Sequence, residues 1–363
     1  MGQQHVGILL NSSMCRGIPV RKTGQESLSN YEEMAAQYDL IPSFMKLGDI
    51  DIRRNTTIAY VWNGRDYIKQ VIEIPKVIHN RALYRNHTAH QKLKKLTSEG
   101  TLLFNVNNRY GKDIIHRIVW SAPHLRDYVP NAASATPYSI KIMMSRFPDL
   151  ILKPVRGSVG QGIMRLRRDN KGWLFIYSRH RRLKTIRLQG QQLPSWAEQH
   201  FKTVPYLIQE RIPLIEYEQR CIDLRVTVQR GITGAWDVTG LFAKAAPKGS
   251  FISNVAKGGD AYPAGEILCK VMPPEQVKAS LSLVKALALR IAMHLASKHP
   301  LLGDLGLDIG LTGDGRPFFI ECNGRDQRYG FRKAGLPETW KETYRQPMAF
   351  ARHLLDHHEH KPF

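Results

Sequence analysis

In this chain of 363 residues, the strongest limit on the fold is a pair of apolar segments near the C-terminal end, residues 307–311 and 317–322. Gly313-Asp314-Gly315 joins them. A turn of that composition between two such runs predicts an antiparallel hairpin. The pairing sets Asp308 opposite Glu321 to within about one residue of register, and Glu321 and Asn323, two apart, share a face. Carboxylates buried among apolar neighbours are costly unless cations neutralise them. Donors that are all oxygen select Mg²⁺, with Mn²⁺ also open, so Asp308, Glu321 and Asn323 are the candidate metal ligands. Cys322 alternates to the opposite face and reads as core.

Three regions precede or surround this hairpin, with expected boundaries at 1–100, 101–212 and 213–350 and a tail at 351–363. The first opens with the buried-strand run Val6-Gly7-Ile8-Leu9-Leu10. A helix is predicted over 26–38 and strands over 57–62 and 71–74, the alternation of a small parallel α/β lobe. In the second region, helices are predicted over 113–120 and 138–146, with a loop at 130–137 between them. A sharp strand at 150–154 follows, then a hairpin of 162–166 with 173–178 turned at Asp169-Asn170-Lys171-Gly172, and a short strand at 207–212. The third has antiparallel strands at 224–229 and 236–242. Its longest helical pattern, at 273–297, reads as a packing helix. No internal repeat is visible.

Lys and Arg number 53 against 31 Asp and Glu, a formal charge of +22. Such an excess attracts an anionic partner, whether nucleotide, acidic peptide or polyanion. Nucleic acid is disfavoured, because no zinc-finger spacing, aromatic RNA-binding signature or basic-region heptad is present. The four cysteines lie far apart without metal or redox spacing, which fits a reducing compartment. No run approaches the about 18 apolar residues of a membrane span, and the N-terminal apolar run is too short for a signal-peptide core. The expected setting is therefore soluble and cytoplasmic.

Phosphate chemistry is suggested by Lys153-Pro154-Val155-Arg156-Gly157-Ser158-Val159-Gly160-Gln161-Gly162. Glycines at 157, 160 and 162, with Ser158, let backbone N–H groups approach phosphate oxygens, and Lys153 adds a point charge. No Lys-Ser/Thr pair ends the loop, so it is not a Walker sequence. Gln209-Glu210-Arg211-Ile212 ends a strand that can read adenine through its backbone, and Glu216 and Glu218 are placed to hold ribose. Arg225 in Asp223-Leu224-Arg225, Lys244 and Asn254 are candidates for stabilising charge in phosphoryl transfer. Singly, each is as readily a solvated charge or an ordinary turn.

Taken in order, these motifs resemble the ATP-grasp superfamily, and within it the endospore coat-associated YheC/YheD family. The likeness covers most of the chain, including Val77-Ile78-His79-Asn80-Arg81. It implies a mixed α/β (α+β) ATP-grasp fold behind an N-terminal pre-ATP-grasp lobe. It also implies two phosphate-contacting lysines, Lys112 and Lys153, a hinge at 209–212, magnesium ligands Asp308, Glu321 and Asn323, and two magnesium ions with ATP. Arg225, Lys244 and Asn254 would face the phosphate and acyl-phosphate region. The implied reaction is carboxylate–amine ligation through an acyl phosphate, in a cell forming spores. A vestigial, structural ATP-binding protein of a spore layer is the rival. Substrates that are acidic or peptide-like would suit the basic charge. The metal strand continues Gly324-Arg325-Asp326-Gln327-Arg328 rather than the Ser-Pro-Gly of the glutamate-ligase branch, so the acceptor pocket differs from that branch.

Overall fold

The computed structural model describes residues 3–157, 160–179, 182–251, 258–299 and 301–357. They build three sheets. The first contains β1 (Gln4–Leu9), β2 (Leu40–Met45), β3 (Ile50–Asp51), β4 (Thr56–Trp62), β5 (Tyr67–Glu73), β6 (Val77–Asn80) and β7 (Leu102–Phe104). Its order is β3-β4-β2-β1-β6-β7, with β5 beside β4. Strands β2, β1, β6 and β7 run parallel, and Val6, Ile8 and Ile78 are wholly buried, as expected of parallel strands covered on both faces. The antiparallel β4–β5 ribbon at the edge makes the sheet mixed. Strand β7 joins it just beyond the expected close of the lobe at residue 100.

The second sheet is antiparallel, in the order β12-β11-β10-β9-β13-β8. Its strands are β8 (Ala132–Ser134), β9 (Asp149–Pro154), β10 (Met164–Asp169), β11 (Gly172–Arg179), β12 (Arg182–Arg187) and β13 (Tyr206–Glu210). The stretch 130–137, expected as loop, therefore contributes a three-residue strand, paired to β13. The third sheet runs β17-β16-β15-β18-β19, with β14 on β15. It comprises β14 (Glu216–Tyr217), β15 (Arg220–Arg230), β16 (Trp236–Ala245), β17 (Asp260–Pro263), β18 (Asp304–Leu311) and β19 (Pro317–Asn323).

The largest apolar core lies between the third sheet and the helices Lys112–Ser121 and Pro274–Ala296. Val277, Val284, Leu287, Ile291 and Leu295 recur at helical spacing and form the buried stripe of the longer helix. By length and composition alone that helix is apolar enough to cross a bilayer, which the sequence reading did not anticipate; its stripe packs on the sheet. The helix Pro337–His357 covers the first sheet, burying Tyr344, Phe350 and Leu354 against Val6, Ile8 and Tyr31. Residues 351–357 are thus part of a packed helix, a correction to the expected tail. The remaining histidine-rich end lies outside the described residues.

Candidate functional site

The second and third sheets meet the loops of the first around a cavity of about 290 Å³. Six elements bring charged or polar side chains to it. Helix Lys112–Ser121 begins at its wall with Lys112, β9 ends there with Lys153, β15 and β16 bring Arg225 and Lys244, and the β18–β19 hairpin brings Asp308, Glu321 and Asn323.

The hairpin pairs Asp308 directly with Glu321, and the register shifts by one residue beyond that pair. Each carboxylate is met by the chain's own cations. Arg225 holds Asp308 through Nε at 2.7 Å and Nη2 at 3.3 Å, and Lys244 Nζ lies 2.9 Å from the same carboxylate. Burial would raise the pKa of Asp308, but Arg225 and Lys244 outweigh it and hold the group well below the usual carboxylate range. Lys244 also pairs with Asp223 at 3.0 Å. Burial would lower its pKa, but these two carboxylates raise it. Lys112 Nζ sits 2.7 Å from Glu321, whose side chain keeps a third of its surface open. The amide nitrogen of Asn323 is buried with no partner among the described residues. An orphaned buried donor is a gap that a bound species would fill, and the oxygens of Asp308, Glu321 and Asn323 are the donor chemistry of a hard divalent cation. The donor set therefore fits magnesium.

Lys153 is buried and has no carboxylate within ion-pair distance among the described residues; its Nζ donates to the carbonyl of Ile320 at 3.3 Å. Desolvation pushes its pKa down to about 8, Lys112 adds to that fall, and Glu321 offsets part of it. An incompletely compensated ammonium at a strand end is prepared for an anion. Lys112 is tied to the same loop, its Nζ reaching the carbonyl of Gly157 at 3.2 Å and its backbone N–H that of Val155 at 3.1 Å. Gly157 and Gly160 line the cavity. Gly162 has φ +72, a conformation that favours glycine, and lies just behind it, its carbonyl accepting from Tyr206 Oη at 2.9 Å.

Other expected residues lie elsewhere. Of Gln209–Ile212, only Gln209 reaches the cavity wall. The backbone N–H groups of Glu210 and Arg211 donate to Asn131 and Asp149, at 2.8 and 3.0 Å, so they are not free to read a base. Arg211 and Arg165 both pair with Asp149, and Ile212 is buried. Glu218 sits exposed in a tight turn at φ 49, away from the cavity, which removes it from the expected ribose contact. Ser158 and Asn254 lie outside the described residues. Cys322 packs partly against the large core, as expected, while also edging the cavity; burial raises its thiol pKa.

Sequence reasoning missed several wall residues. Arg85, Arg109 and Arg325 stand at one end, and His116 is buried beneath Lys153 with Nε2 2.9 Å from the carbonyl of Pro130. Asp326, wholly buried, grips Arg225 Nη1 at 2.7 Å and accepts a short hydrogen bond from Thr227. The run Gly324-Arg325-Asp326-Gln327-Arg328, which departs from the glutamate-ligase branch, carries Arg325 and Asp326. Its alternation of charges after a metal-type strand was the available signal.

Comparison with known proteins gives matches to sequence and fold. A family model described as YheC/D-like ATP-grasp matches residues 100–354. Endospore coat-associated protein YheD of Bacillus subtilis (strain 168) is 23% identical over 322 residues, 85% of this chain and 69% of the relative. Among solved structures, D-cycloserine synthetase DcsG superposes with a TM-score of 0.57 at 12% identity, over 96% of this chain and 99% of its own. The ATP-grasp ligase PsnB, complexed with a phosphomimetic variant of its minimal precursor, Mg and ADP, gives 0.51 at 14% identity, over 94% and 99%. At these identities the structural likeness establishes the fold.

Proposed function

The chain belongs to the YheC/D-like ATP-grasp family, and from that premise we propose that it is an ATP-dependent carboxylate–amine ligase. One observation carries the reading: Lys112 and Lys153 share a single cavity with the Asp308–Glu321 pair and Asn323. Lys112, Lys153, Gly157 and Gly160 would hold the phosphates, with Ser158 completing the loop, and Gln209 would flank the adenine. Asp308, Glu321 and Asn323 would hold magnesium, which when bound neutralises and orients the terminal phosphates.

In this reaction a carboxylate oxygen of the substrate attacks the γ-phosphorus as the bond to the ADP oxygen breaks. The product is an acyl phosphate. An amine then attacks the acyl carbon, the carbon–oxygen bond to phosphate breaks, and the nitrogen gives up a proton. Arg225 and Lys244, with Asn254, would stabilise the charge that builds on the transferring group. No nucleophilic side chain is required, because the work is positioning and charge neutralisation. A role in spore formation is proposed from the naming of the relative as endospore coat-associated.

Both cavity carboxylates are already neutralised by Lys112, Arg225 and Lys244, which also suits a non-catalytic ATP-binding protein of the coat. The test is ADP release from Mg-ATP with pooled carboxylates and amines, comparing wild type with Glu321→Ala. The ligase reading expects turnover that needs both substrates and vanishes in the variant. Magnesium-dependent ATP binding without turnover in any pool favours the binding protein.

A further inference from the structure

Among the described residues, seven lysines and arginines line the cavity against two carboxylates, those of Asp308 and Glu321. Lys112, Arg225 and Lys244 take those two, and Lys153 feels Glu321 nearby. Arg85, Arg109 and Arg325 are left at the end formed by the first sheet's loops, and none has an ion-pair partner among the described residues. Outside those residues the chain's one acid is Glu359, in the C-terminal end. The described residues thus leave the three arginines short of negative charge, with only Glu26 acting on Arg325 from a distance, and a bound anion would supply it.

The cluster is built rather than incidental. Asn108 Nδ2 donates to the carbonyls of Asn80 and Ala82 at 3.1 and 2.8 Å, fixing the loop that carries Arg85 beside the one that carries Arg109. Asn80 Nδ2 donates in return to Asn105 and Val106. A Cβ on Gly324 would stand 2.7 Å from the Cα of Asn108, so the strand leading to Arg325 lies directly on that loop. Arg325 Nη1 is held by Asn11 Oδ1 at 3.3 Å and the carbonyl of Arg81 at 3.4 Å, while Asn11 also binds the backbone of Leu83 at both ends. Three segments far apart in sequence are thus stitched into one platform. Desolvation first, then Arg85 and Arg156, depress the pKa of Arg109. The guanidiniums feel one another as like charges, which opposes folding unless an anion offsets it.

We propose that Arg85, Arg109 and Arg325 form a substrate subsite for carboxylates beyond the one that is activated, so that the substrate is an acidic, multiply carboxylated molecule. Guanidiniums suit this task because each offers paired donors to a planar carboxylate. The cluster lies toward the first sheet, and Lys112, Lys153 and the hairpin lie on the phosphate side, so the two ends of the cavity divide the work. The inference deepens the ligase reading and rests on it for the chemistry at the phosphate end.

The experiment measures binding of tetraglutamate, citrate and tetraglutamine to the full chain, with a non-hydrolysable ATP analogue and Mg²⁺ titrated in parallel. The acidic probes are expected to bind at least tenfold more tightly than tetraglutamine and to weaken as salt rises. Whichever acid binds better tells a peptide-like substrate from a small polycarboxylate. Arg109→Gln and Arg325→Gln should each weaken the acid about tenfold, leave the ATP analogue within about twofold, and keep or raise the melting temperature because repulsion is relieved. Exposed Arg85→Gln should act in the same direction, without risk to the fold. Three results overturn the proposal: equal binding of acidic and neutral probes, acid binding untouched by the substitutions, or parallel loss of the ATP analogue, which would give the arginines to the nucleotide. If the ATP analogue fails to bind wild type while the acids bind through the arginines, the ligase reading falls and the anion site stands.

Discussion

Behind the cavity, Arg81 and Arg328 are buried, and both meet carboxylates. Arg81 bonds Glu26 at 2.8 Å and Asp304 at 3.0 Å, and Arg328 bonds Asp304 at 2.5 Å. At the cavity wall, Arg109, Arg325 and Lys153 have no ion-pair partner among the described residues. Burial alone would raise the pKa of Asp304, yet Arg328, His79 and Arg81 hold it far below its ordinary range; burial lowers that of Lys153, and Glu321 only partly restores it. The contrast separates two uses of charge. The closed network joins the N-terminal lobe to the third sheet, and its guanidiniums meet their opposite charges inside it. The open set remains short of negative charge until a ligand supplies it. Arg225 stands between them, gripping Asp326 on the closed side and Asp308 on the open side.

Breaking the closed side should cost most in stability. Asp304→Ala leaves Arg81 and Arg328 without that carboxylate, and denaturant unfolding should report a loss of about 3–5 kcal/mol. Asp304→Ala with near-wild-type stability would show that the network is not closed as described. On the open side, Lys153→Met should leave folding unharmed or improved and weaken ATP binding by about 100-fold, roughly 2.7 kcal/mol; calorimetric titration and a melt on the same sample read both. Asp326→Asn, acting through Arg225, should lower kcat about tenfold while the KM for ATP stays close to wild type. A change in KM alone would mean that Asp326 does not position Arg225 for the reaction.

The pH dependence sharpens the same contrast. Lys153 keeps its charge below about 8 and loses it above, so ATP affinity should fall as pH rises, about tenfold between roughly pH 7 and pH 9. Lys153→Arg should flatten that profile in the same titration. Smallest of all is the exposed pair Arg187–Asp169 at 2.8 Å, between β12 and the end of β10. Arg187→Gln should shift stability by less than about 0.5 kcal/mol, because water screens the pair.

The sequence disclosed what local patterning controls. Gly313-Asp314-Gly315 between apolar runs announced the β18–β19 hairpin, and the structure pairs Asp308 with Glu321 as that turn requires. The helices expected over 113–120, 138–146 and 273–297, the last from its apolar periodicity, are found as Lys112–Ser121, Pro137–Arg146 and Pro274–Ala296. Elements that depend on distant partners were not. Strand β12 is mostly exposed and reads Arg-Leu-Lys-Thr-Ile-Arg, without a buried face to betray it, and β8 is three residues pinned by β13. Pro347 lies inside Pro337–His357 and masks that helix, since proline ordinarily ends one. The buried pairs Arg81–Asp304 and Arg225–Asp326 join positions 223 and 101 residues apart. Their partners, and the convergence of Arg85, Arg109 and Arg325, are set by tertiary packing that no local window contains. Glu218 was expected at the nucleotide for its spacing alone, and the turn at positive φ carries it outward.

The central claim is that this cavity holds a magnesium nucleotide between Lys153 and the β18–β19 hairpin. Its most direct test is calorimetric binding of a non-hydrolysable ATP analogue, with and without Mg²⁺, to wild type and to Glu321→Gln. The account predicts tight binding to wild type that requires magnesium, and loss of that requirement together with most of the affinity in the variant. Binding indifferent to both the metal and Glu321, or no binding to wild type, would contradict it.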